Sequence, residues 1–470
     1  MTVRTRFSPS PTGMIHIGNA RAALFSALYA KKNNGVFILR IEDTDAERSA
    51  EKYIDGLQHD LHWLGINWQE GPGVNGSFGP YLQSLRQDIY AEYYEILINK
   101  KLIYPCFCSD QELLLARKRL LARGLPPRYA GTCKKLSTDE MEKRLAEGKK
   151  PALRFIVPEN QAVDFVDVVK GPQHFQTHDI GDFIIRRADG TAPFLFCNAI
   201  DDATMQVTHV LRGEDHIANT PRQILLLNAL ELKVPQYGHL PLIVGEDGAP
   251  LSKRHGSSSV NDVREAGYLA PAITNYLARI GHGCDAPELL DFDQLAANFN
   301  LDKLSKSAAK FDIIQLMYWQ KIAVQALDTE NMWRWLGASV SGQVPLAEQD
   351  QFIKTIKANI EFPGDALAWA KVFFHDKIEF DETSSTAIRE AGEQFFVEAE
   401  TAVLKYGTDI KQVLAEMKQT LGVSGKKLFM PLRAALTGRV DGPEMANIAE
   451  MLGQKKMQHR LSNAFKEVVK

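Results

Sequence analysis

Cysteine is scarce in this chain: five in 470 residues, an odd number that argues against a disulfide framework and for a reducing compartment. Long apolar runs are missing as well. The longest nearly apolar stretch, Ala22 to Ala30, is far shorter than the ~20 residues a membrane span needs. The start lacks the basic-then-apolar pattern of a secretory leader, so the expected location is the cytoplasm. Neither sign of charge dominates, with 55 basic residues against 58 acidic ones and a net charge of −3. That balance excludes a protein that coats nucleic acid by bulk electrostatics, while local basic patches remain open. A Gly-x-x-x-x-Gly-Lys-Ser/Thr phosphate loop is absent, which excludes a P-loop enzyme. No internal repeat or low-complexity tract stands out. What remains is a globular composition, 45% hydrophobic. The length suits about three domains, with core enough to fold without disulfides or metal.

Strand and helix alternate at the beginning. Val3–Phe7 reads as a strand, Ser8–Gly13 as a turn-rich break, and a helix follows to about Asn33 with Leu24, Phe25 and Leu28 on one side. Val36–Ile41 reads as a buried strand, giving a parallel βαβ unit. From about residue 106 the texture changes, with a basic helix (Arg117, Lys118, Arg119, Arg123), a Pro126-Pro127 break and strand-like runs at Ala152–Val157 and Phe183–Arg187. Alternation resumes near Thr191, so the first fold is read as split by an insertion. The expected organisation is an α/β Rossmann-like catalytic domain in two parts, 1–105 and 191–250, with an α+β insertion at 106–190. A loop and connecting segment at 251–329 leads to an all-α domain at 330–470. In that last part Ile388, Ala391, Phe395, Ala399, Val403 and Tyr406 recur at helical spacing, with Ser384 and Ser385 as candidate caps. Gly407, Gly422, Gly438 and Gly453 are read as helix ends.

Three clusters could carry chemistry. In the first, Arg6–Gly13 runs into His16-Ile17-Gly18-Asn19. A strand here meets a helix N-terminus, where amides hold phosphates, Gly18 leaves room for a planar base and His16 can donate to a phosphate oxygen. A lone His-x-Gly is more often a turn with a satisfied surface histidine; the Pro-Ser-Pro-Thr-Gly before it sharpens this one. The second is Arg40-Ile41-Glu42-Asp43-Thr44-Asp45, carboxylates at a strand exit that could meet an ammonium, ribose hydroxyls or a metal. Alone it reads as an Asx turn. The third, Leu251-Ser252-Lys253-Arg254-His255-Gly256, is a basic loop able to neutralise charge on a triphosphate. Cysteines give a further candidate: Cys106 and Cys108, read as two thiols on one side of a strand, and Cys133 after a 24-residue gap. Three thiolates need a fourth ligand for a closed tetrahedral zinc site, and Tyr129 and Asp110 are the candidates. Cys197 and Cys284 are read as buried residues outside this set.

Together these motifs resemble the class I aminoacyl-tRNA synthetases. Pro9–Gly13 with His16-Ile17-Gly18-Asn19 is similar to their HIGH signature, and Pro250-Leu251-Ser252-Lys253-Arg254 to their KMSKS loop. Arg40–Asp45, Asn198–Asp202 and Leu211-Arg212-Gly213-Glu214-Asp215-His216 resemble the glutamyl-tRNA synthetase branch, and the likeness continues into Lys426–Arg433 and Leu436–Gly438. The resemblance implies a two-step ligase using ATP with Mg2+, L-glutamate and tRNA(Glu), with tRNA(Gln) as an alternative acceptor. It implies that His16 and Lys253 are catalytic. ATP would be met by His16, Gly18, Asn19, Ser252, Lys253 and Arg254. Glutamate would be met by Arg6, Ser8, Glu42, Phe194, Asn198 and Arg212. Within that set Arg212 is the candidate for the γ-carboxylate, because a guanidinium fork matches a carboxylate, and Glu42 for the α-ammonium. The resemblance favours Tyr129 as the fourth ligand of a structural Zn2+ with Cys106, Cys108 and Cys133. It assigns the C-terminal part to the anticodon, where Trp319, Arg433, Arg439, Lys455, Lys456 and Arg460 are candidates to touch RNA. A monomer is expected.

Three positions depart from the family pattern: Asn19 replaces the second histidine of the signature, Pro250 the first loop lysine, and Phe194 a frequent tyrosine. Two rivals share parts of the pattern. A shortened paralogue that glutamylates a modified tRNA base lacks the anticodon domain, whereas residues 330–470 are present here. A catalytically silent tRNA-binding protein would not need His16, Lys253, Glu42 and Arg212 together.

Overall fold

The computed structural model describes residues 2–44, 51–74, 76–249, 251, 259–284 and 286–469. Asp45, Pro250, Ser252, Lys253 and Arg254 lie outside the described residues. The chain divides into two compact units, residues 1–265 with 273–313, and Ala266–Ala272 with Ile314–Lys470.

Among the described residues the first unit holds the strands β1 (Arg4–Phe7), β2 (Val36–Leu39), β3 (Ile103–Cys106), β4 (Ala152–Phe155), β5 (Ala162–Asp167), β6 (Gly171–Gln176), β7 (Phe183–Arg186), β8 (His209–Gly213) and β9 (Gln236–Leu240), with a short parallel pair, β10 (Ile243–Val244) and β11 (Ala309–Lys310). The central sheet has the order β2-β1-β8-β9 and all its pairings are parallel. Of these only β2 is a continuous apolar run; β1, β8 and β9 carry the buried polar residues Arg6, Arg212 and His239 among their apolar ones. The helix Ile17–Lys32 buries residues nearly all round, including Ala20, Ala23, Leu24, Phe25, Ala27 and Leu28. The one-sided stripe expected from sequence is therefore too narrow. This helix packs on β1 and β8 and also against the helix Phe292–Asn298, so it has two covered faces. It ends at Asn33, and the chain turns back through Gly35, where a Cβ would sit 2.2 Å from the Val3 carbonyl oxygen.

Between β2 and β8 lie a three-stranded antiparallel sheet, β3-β4-β7, and the hairpin β5-β6. The helices Asp110–Ala122 and Thr138–Ala146 each start with a capping box, Ser109 with Glu112 and Ser137 with Glu140. β3 stops at Cys106, so Cys108 lies beyond the strand and the two thiols do not share a strand face as expected. Of the other two cysteines, Cys197 is buried and Cys284 only half-buried.

A buried ionic cluster ties the first unit together. Asp201, fully buried on the helix Phe194–Thr204, accepts from Arg86 Nε at 2.7 Å, Gln83 Nε2 at 2.7 Å and Tyr90 Oη at 2.9 Å. Its neighbour Asp202 accepts from Arg40 Nη1 at 2.8 Å and Arg6 Nε at 3.2 Å. Burial alone would raise the Asp202 carboxyl, but Arg6 and Arg40 outweigh it and hold it below the usual carboxylate range.

The second unit is helical around a core that includes Phe352, Trp369, Phe373, Ile388, Phe395, Val403, Leu432 and Ile448. The periodic run from Ile388 to Tyr406 is two helices, Glu382–Ala391 and Glu393–Tyr406, broken at Gly392 with φ 77°. Asp381 is the cap, accepting from the Ser384 amide, while Ser384 is buried in the first turn and donates to the Gly438 carbonyl. Gly407, Gly422 and Gly438 end helices as expected. Gly453, with φ 68° and ψ 160°, likewise interrupts the run Met445–Val469 and divides it into two helices. Two RNA candidates are internal. Trp319 is buried, and Arg460 is buried with its guanidinium donating to the carbonyls of Leu436, Val372 and His375. Arg433 spends a donor on the Pro443 carbonyl, and Lys456 one on the Phe373 carbonyl.

Asp201→Ala would leave Arg86, Tyr90 and Gln83 without their shared acceptor. Breaking a buried pair in this way is expected to cost about 3–5 kcal/mol. Urea unfolding of the full chain, followed by far-ultraviolet circular dichroism, should show a lowered midpoint for the α/β unit; an unchanged midpoint contradicts the role given to the cluster.

Candidate active site

At the carboxyl ends of β1 and β8 lies a cavity of about 560 Å³. This is where the strand order reverses, the position at which open parallel sheets bind ligands. All the described residues expected to meet ATP or glutamate line it. Arg6 and Ser8 come from β1 and the turn after it, Glu42 from beyond β2, and Phe194 and Asn198 from the helix Phe194–Thr204. Arg212 comes from β8, and His16, Gly18 and Asn19 from the start of the first helix. His16 is the N-cap residue of that helix, extended at φ −84° and ψ 153°. A Cβ on Gly18 would meet nothing within 4 Å, so packing does not demand glycine there and the space belongs to the cavity.

The charges in the cavity are compensated unequally. Arg6 is already paired with Asp202 and also donates to the Leu211 carbonyl. Arg212 is buried but meets only neutral acceptors: His239 Nε2 at 3.2 Å, and Thr220 Oγ1 and Gln223 Oε1 at 2.8 Å each. Its Nη1 has no partner, and among the described residues it forms no ion pair. Burial pulls its pKa down to about 10. Asp202 and Glu42 act on it only from a distance, and a buried cation with no carboxylate in contact is costly unless something supplies one. Glu42 is buried as well and accepts from Asn198 Nδ2. Burial pushes its pKa up to about 7, against the opposing pull of Arg40 and Asn198. The Ser8 hydroxyl is buried without a partner. The cavity therefore offers an unpaired guanidinium, a carboxylate and a free hydroxyl, a set suited to a small amino acid with an acidic side chain.

A second cluster lies near β3. The sulfurs of Cys106, Cys108 and Cys133 are all within 4.8 Å of one another, with Cys108 and Cys133 at 3.5 Å. Tyr129 Oη is 3.5 Å from Cys106 Sγ and 3.3 Å from Cys108 Sγ, and accepts from the Cys133 amide. Three sulfurs at that spacing match the roughly 3.8 Å edge of a tetrahedron with Zn–S bonds of about 2.3 Å. The fourth donor beside them is the phenol. Asp110, the other candidate, is exposed at the start of its helix and outside the cluster.

Residues 2–318 match the family model for the catalytic domain of class I tRNA synthetases (E and Q). The chain belongs to that family. Residues 329–465 match an anticodon binding domain. The family's Rossmann-like α/β body and helical C-terminal domain are the two units described above. The chain is 52% identical over 462 residues to glutamate–tRNA ligase 2 of Coxiella burnetii, covering 98% of this chain and 99% of that one. It is 53% identical over 461 residues to glutamate–tRNA ligase 2 of Nitrosococcus oceani, covering 98% of each. Among solved structures it superposes on the glutamate-tRNA synthetase of Elizabethkingia anophelis with a TM-score of 0.89 at 29% identity, over 99% of this chain and 100% of that one.

Several residues of this synthetase's cavity were not singled out from sequence. His216 stacks on Phe194, with ring centroids 5.1 Å apart, and lines the cavity; burial, and then Arg212, lower its pKa to about 4. It closes the family-like stretch Leu211–His216, which was its only signal. Arg21, one helical turn beyond Gly18, also lines the cavity, its guanidinium held by the carbonyls of Pro241 and Ile280. Nothing in the local sequence marks it as other than a helix-surface charge.

Proposed function

We propose that this chain is a glutamate–tRNA ligase, charging the 3′ terminal adenosine of tRNA(Glu) in the cytoplasm as a monomer. The observation that carries the reading is Arg212, buried on the cavity wall without a carboxylate partner, in the same cavity as Glu42. Glutamate brings what this site lacks. Its γ-carboxylate supplies the counter-charge for Arg212, and its α-ammonium suits Glu42. Glutamine has no charge to offer that guanidinium.

In the first step an oxygen of the substrate's α-carboxylate attacks the α-phosphorus of ATP, and the bond to the bridging oxygen breaks. Pyrophosphate leaves with the electron pair, and glutamyl-adenylate remains. The nucleophile is already an anion, so no protein base is needed. Charge grows on phosphate oxygens, and stabilising it is the role we give to His16 and Lys253. When bound with ATP, Mg2+ would further neutralise the phosphates. In the second step a ribose hydroxyl of the terminal adenosine attacks the adenylate's carbonyl carbon, releasing AMP and a proton. The insertion at 106–190 is assigned to the acceptor end, 251–329 to the stem and 330–470 to the anticodon. A Zn2+ would be held by Cys106, Cys108, Cys133 and Tyr129 as a closed structural site. The helical unit counts against the shortened paralogue.

Charging of separated tRNA(Glu) and tRNA(Gln) fractions with labelled glutamate tests the activity. Charging of neither returns the chain to a silent RNA binder, and charging of both makes it a synthetase that accepts either tRNA. Replacing Arg212 by Gln should lower kcat/KM for glutamate by about a hundredfold or more. His16→Ala should slow adenylate formation by about 10²–10³ while tRNA affinity holds. Unchanged rates in either variant contradict the assigned role.

Glu42 gives a pH signature. Its carboxylate, not its acid form, attracts an ammonium, so affinity is lost as pH falls through about 7. The KM for glutamate should rise by about tenfold between pH 8 and pH 6. Glu42→Gln should bind more weakly and show a flat profile; a pH dependence that survives the substitution contradicts the assignment. For the metal, elemental analysis should find one zinc per chain, lost in Cys133→Ser; well under one zinc in the native protein removes that site.

A further inference from the structure

We infer that Asp167 and His239 are positioning residues for glutamate recognition, acting as a relay from the insertion that aims the guanidinium of Arg212 without neutralising it. The inference rests on the role proposed for Arg212 and extends it to residues that do not line the cavity. His239 on β9 is the direct cross-strand partner of Arg212 on β8, and both are buried. The chemistry at each end of the imidazole fixes its tautomer. Nδ1 lies 2.5 Å from Asp167 Oδ2, and an ionised carboxylate only accepts, so Nδ1 carries the proton. Nε2 is then a lone pair. It faces Arg212 Nε, which only donates, at 3.2 Å, and shares that lone pair with the Thr220 hydroxyl at 3.1 Å.

Asp167 is itself fixed. It accepts from the backbone amides of Val169, Lys170 and His239 as well as from the imidazole. Burial would raise its carboxyl, but these donors outweigh it and keep it below its usual value. Burial lowers the pKa of His239, which keeps the ring neutral and able to accept. The arrangement separates two tasks that one carboxylate would combine. A carboxylate touching Arg212 would aim it and also cancel the charge that a substrate needs to find. A neutral imidazole aims it and leaves the charge available, with the anion one ring further away. With Nη2 held by Thr220 and Gln223, Nη1 is the nitrogen left open.

The origin of Asp167 matters. It ends β5, in the hairpin of the insertion, and the next residue, Val168, donates to the Tyr237 carbonyl on β9. The seating of that hairpin on the central sheet therefore sets the aim of Arg212, and displacing it would register as a change in glutamate affinity.

Steady-state charging by the full chain, with glutamate and ATP varied separately, tests the relay in three variants. In Asp167→Asn the amide would donate to Nδ1 and force the proton onto Nε2, against the Arg212 donor. His239→Leu removes the acceptor, and His239→Gln returns an oxygen that can accept from Arg212 Nε. The first two should raise the KM for glutamate by about tenfold or more while the KM for ATP stays within about twofold, and His239→Gln should recover part of the loss. Glutamate KM unchanged in His239→Leu, glutamate and ATP KM rising together, or His239→Gln no better than His239→Leu overturns the relay. If Asp167→Asn does not fold, the two His239 variants decide. Arg212→Gln separates the levels: no effect there overturns the reading of Arg212 itself, whereas a large effect there with a silent His239→Leu overturns only the relay.

Discussion

Asp201 and Asp202, adjacent on one buried helix, hold three arginines drawn from three separate parts of the chain: Arg6 from β1, Arg40 from the end of β2, and Arg86 from the segment before the helix Gln87–Asn99. Removing that many charges from water costs several kcal/mol per ion, and the cluster is tolerable only because each carboxylate is shared among several donors. The geometry is correspondingly exacting. Once Arg40 is locked to Asp202 and its Nη2 donates to Asn198 Oδ1, Asn198 is turned so that its amide nitrogen donates to Glu42. A structural ion pair thus sets the orientation of the carboxylate in the cavity two links away.

The same residue type is used in opposite ways a short distance apart. Arg6 and Arg40 meet carboxylates and are neutralised, whereas Arg212 meets an imidazole, a hydroxyl and an amide oxygen and is not. Their positions in the cavity alone do not separate these cases, since Arg6 and Arg212 both line it. Partner chemistry does. A cation held by neutral acceptors keeps its field for a ligand, and in a buried site that field is strong because little water screens it. On the role proposed for Arg212, selectivity for an acidic substrate would follow from the absence of a contacting carboxylate as much as from the presence of the arginine.

Much of this was legible in the sequence wherever the determining neighbours are close along the chain. Val36–Leu39 reads as a strand because both faces are covered and the run is continuously apolar, and the helix ends at Gly407, Gly422 and Gly438 announce themselves through a residue free to take positive φ. The residues that line the cavity were named in advance chiefly through the family resemblance, which carried positions far apart in the chain, such as Arg6 and Arg212, into one set. Features that depend on distant partners were not legible. Arg6 meets Asp202 across 196 residues and Asp167 meets His239 across 72, so no local pattern marks either pair. Arg460 looks the same in sequence whether it faces RNA or, as here, donates into carbonyls inside the helical unit. Ser384 resembled a cap, but Asp381 took that place because the helix begins one turn earlier.

The claim on which the account turns is that the cavity selects its substrate through an uncompensated buried guanidinium. Direct competition between labelled glutamate and glutamine for attachment to tRNA by the native protein tests it. The two amino acids match closely in size and shape and differ at the γ position in charge and hydrogen-bond chemistry. The account predicts a preference for glutamate of at least about a thousandfold, because glutamine would leave Arg212 buried and unpaired. Comparable attachment of the two would contradict it.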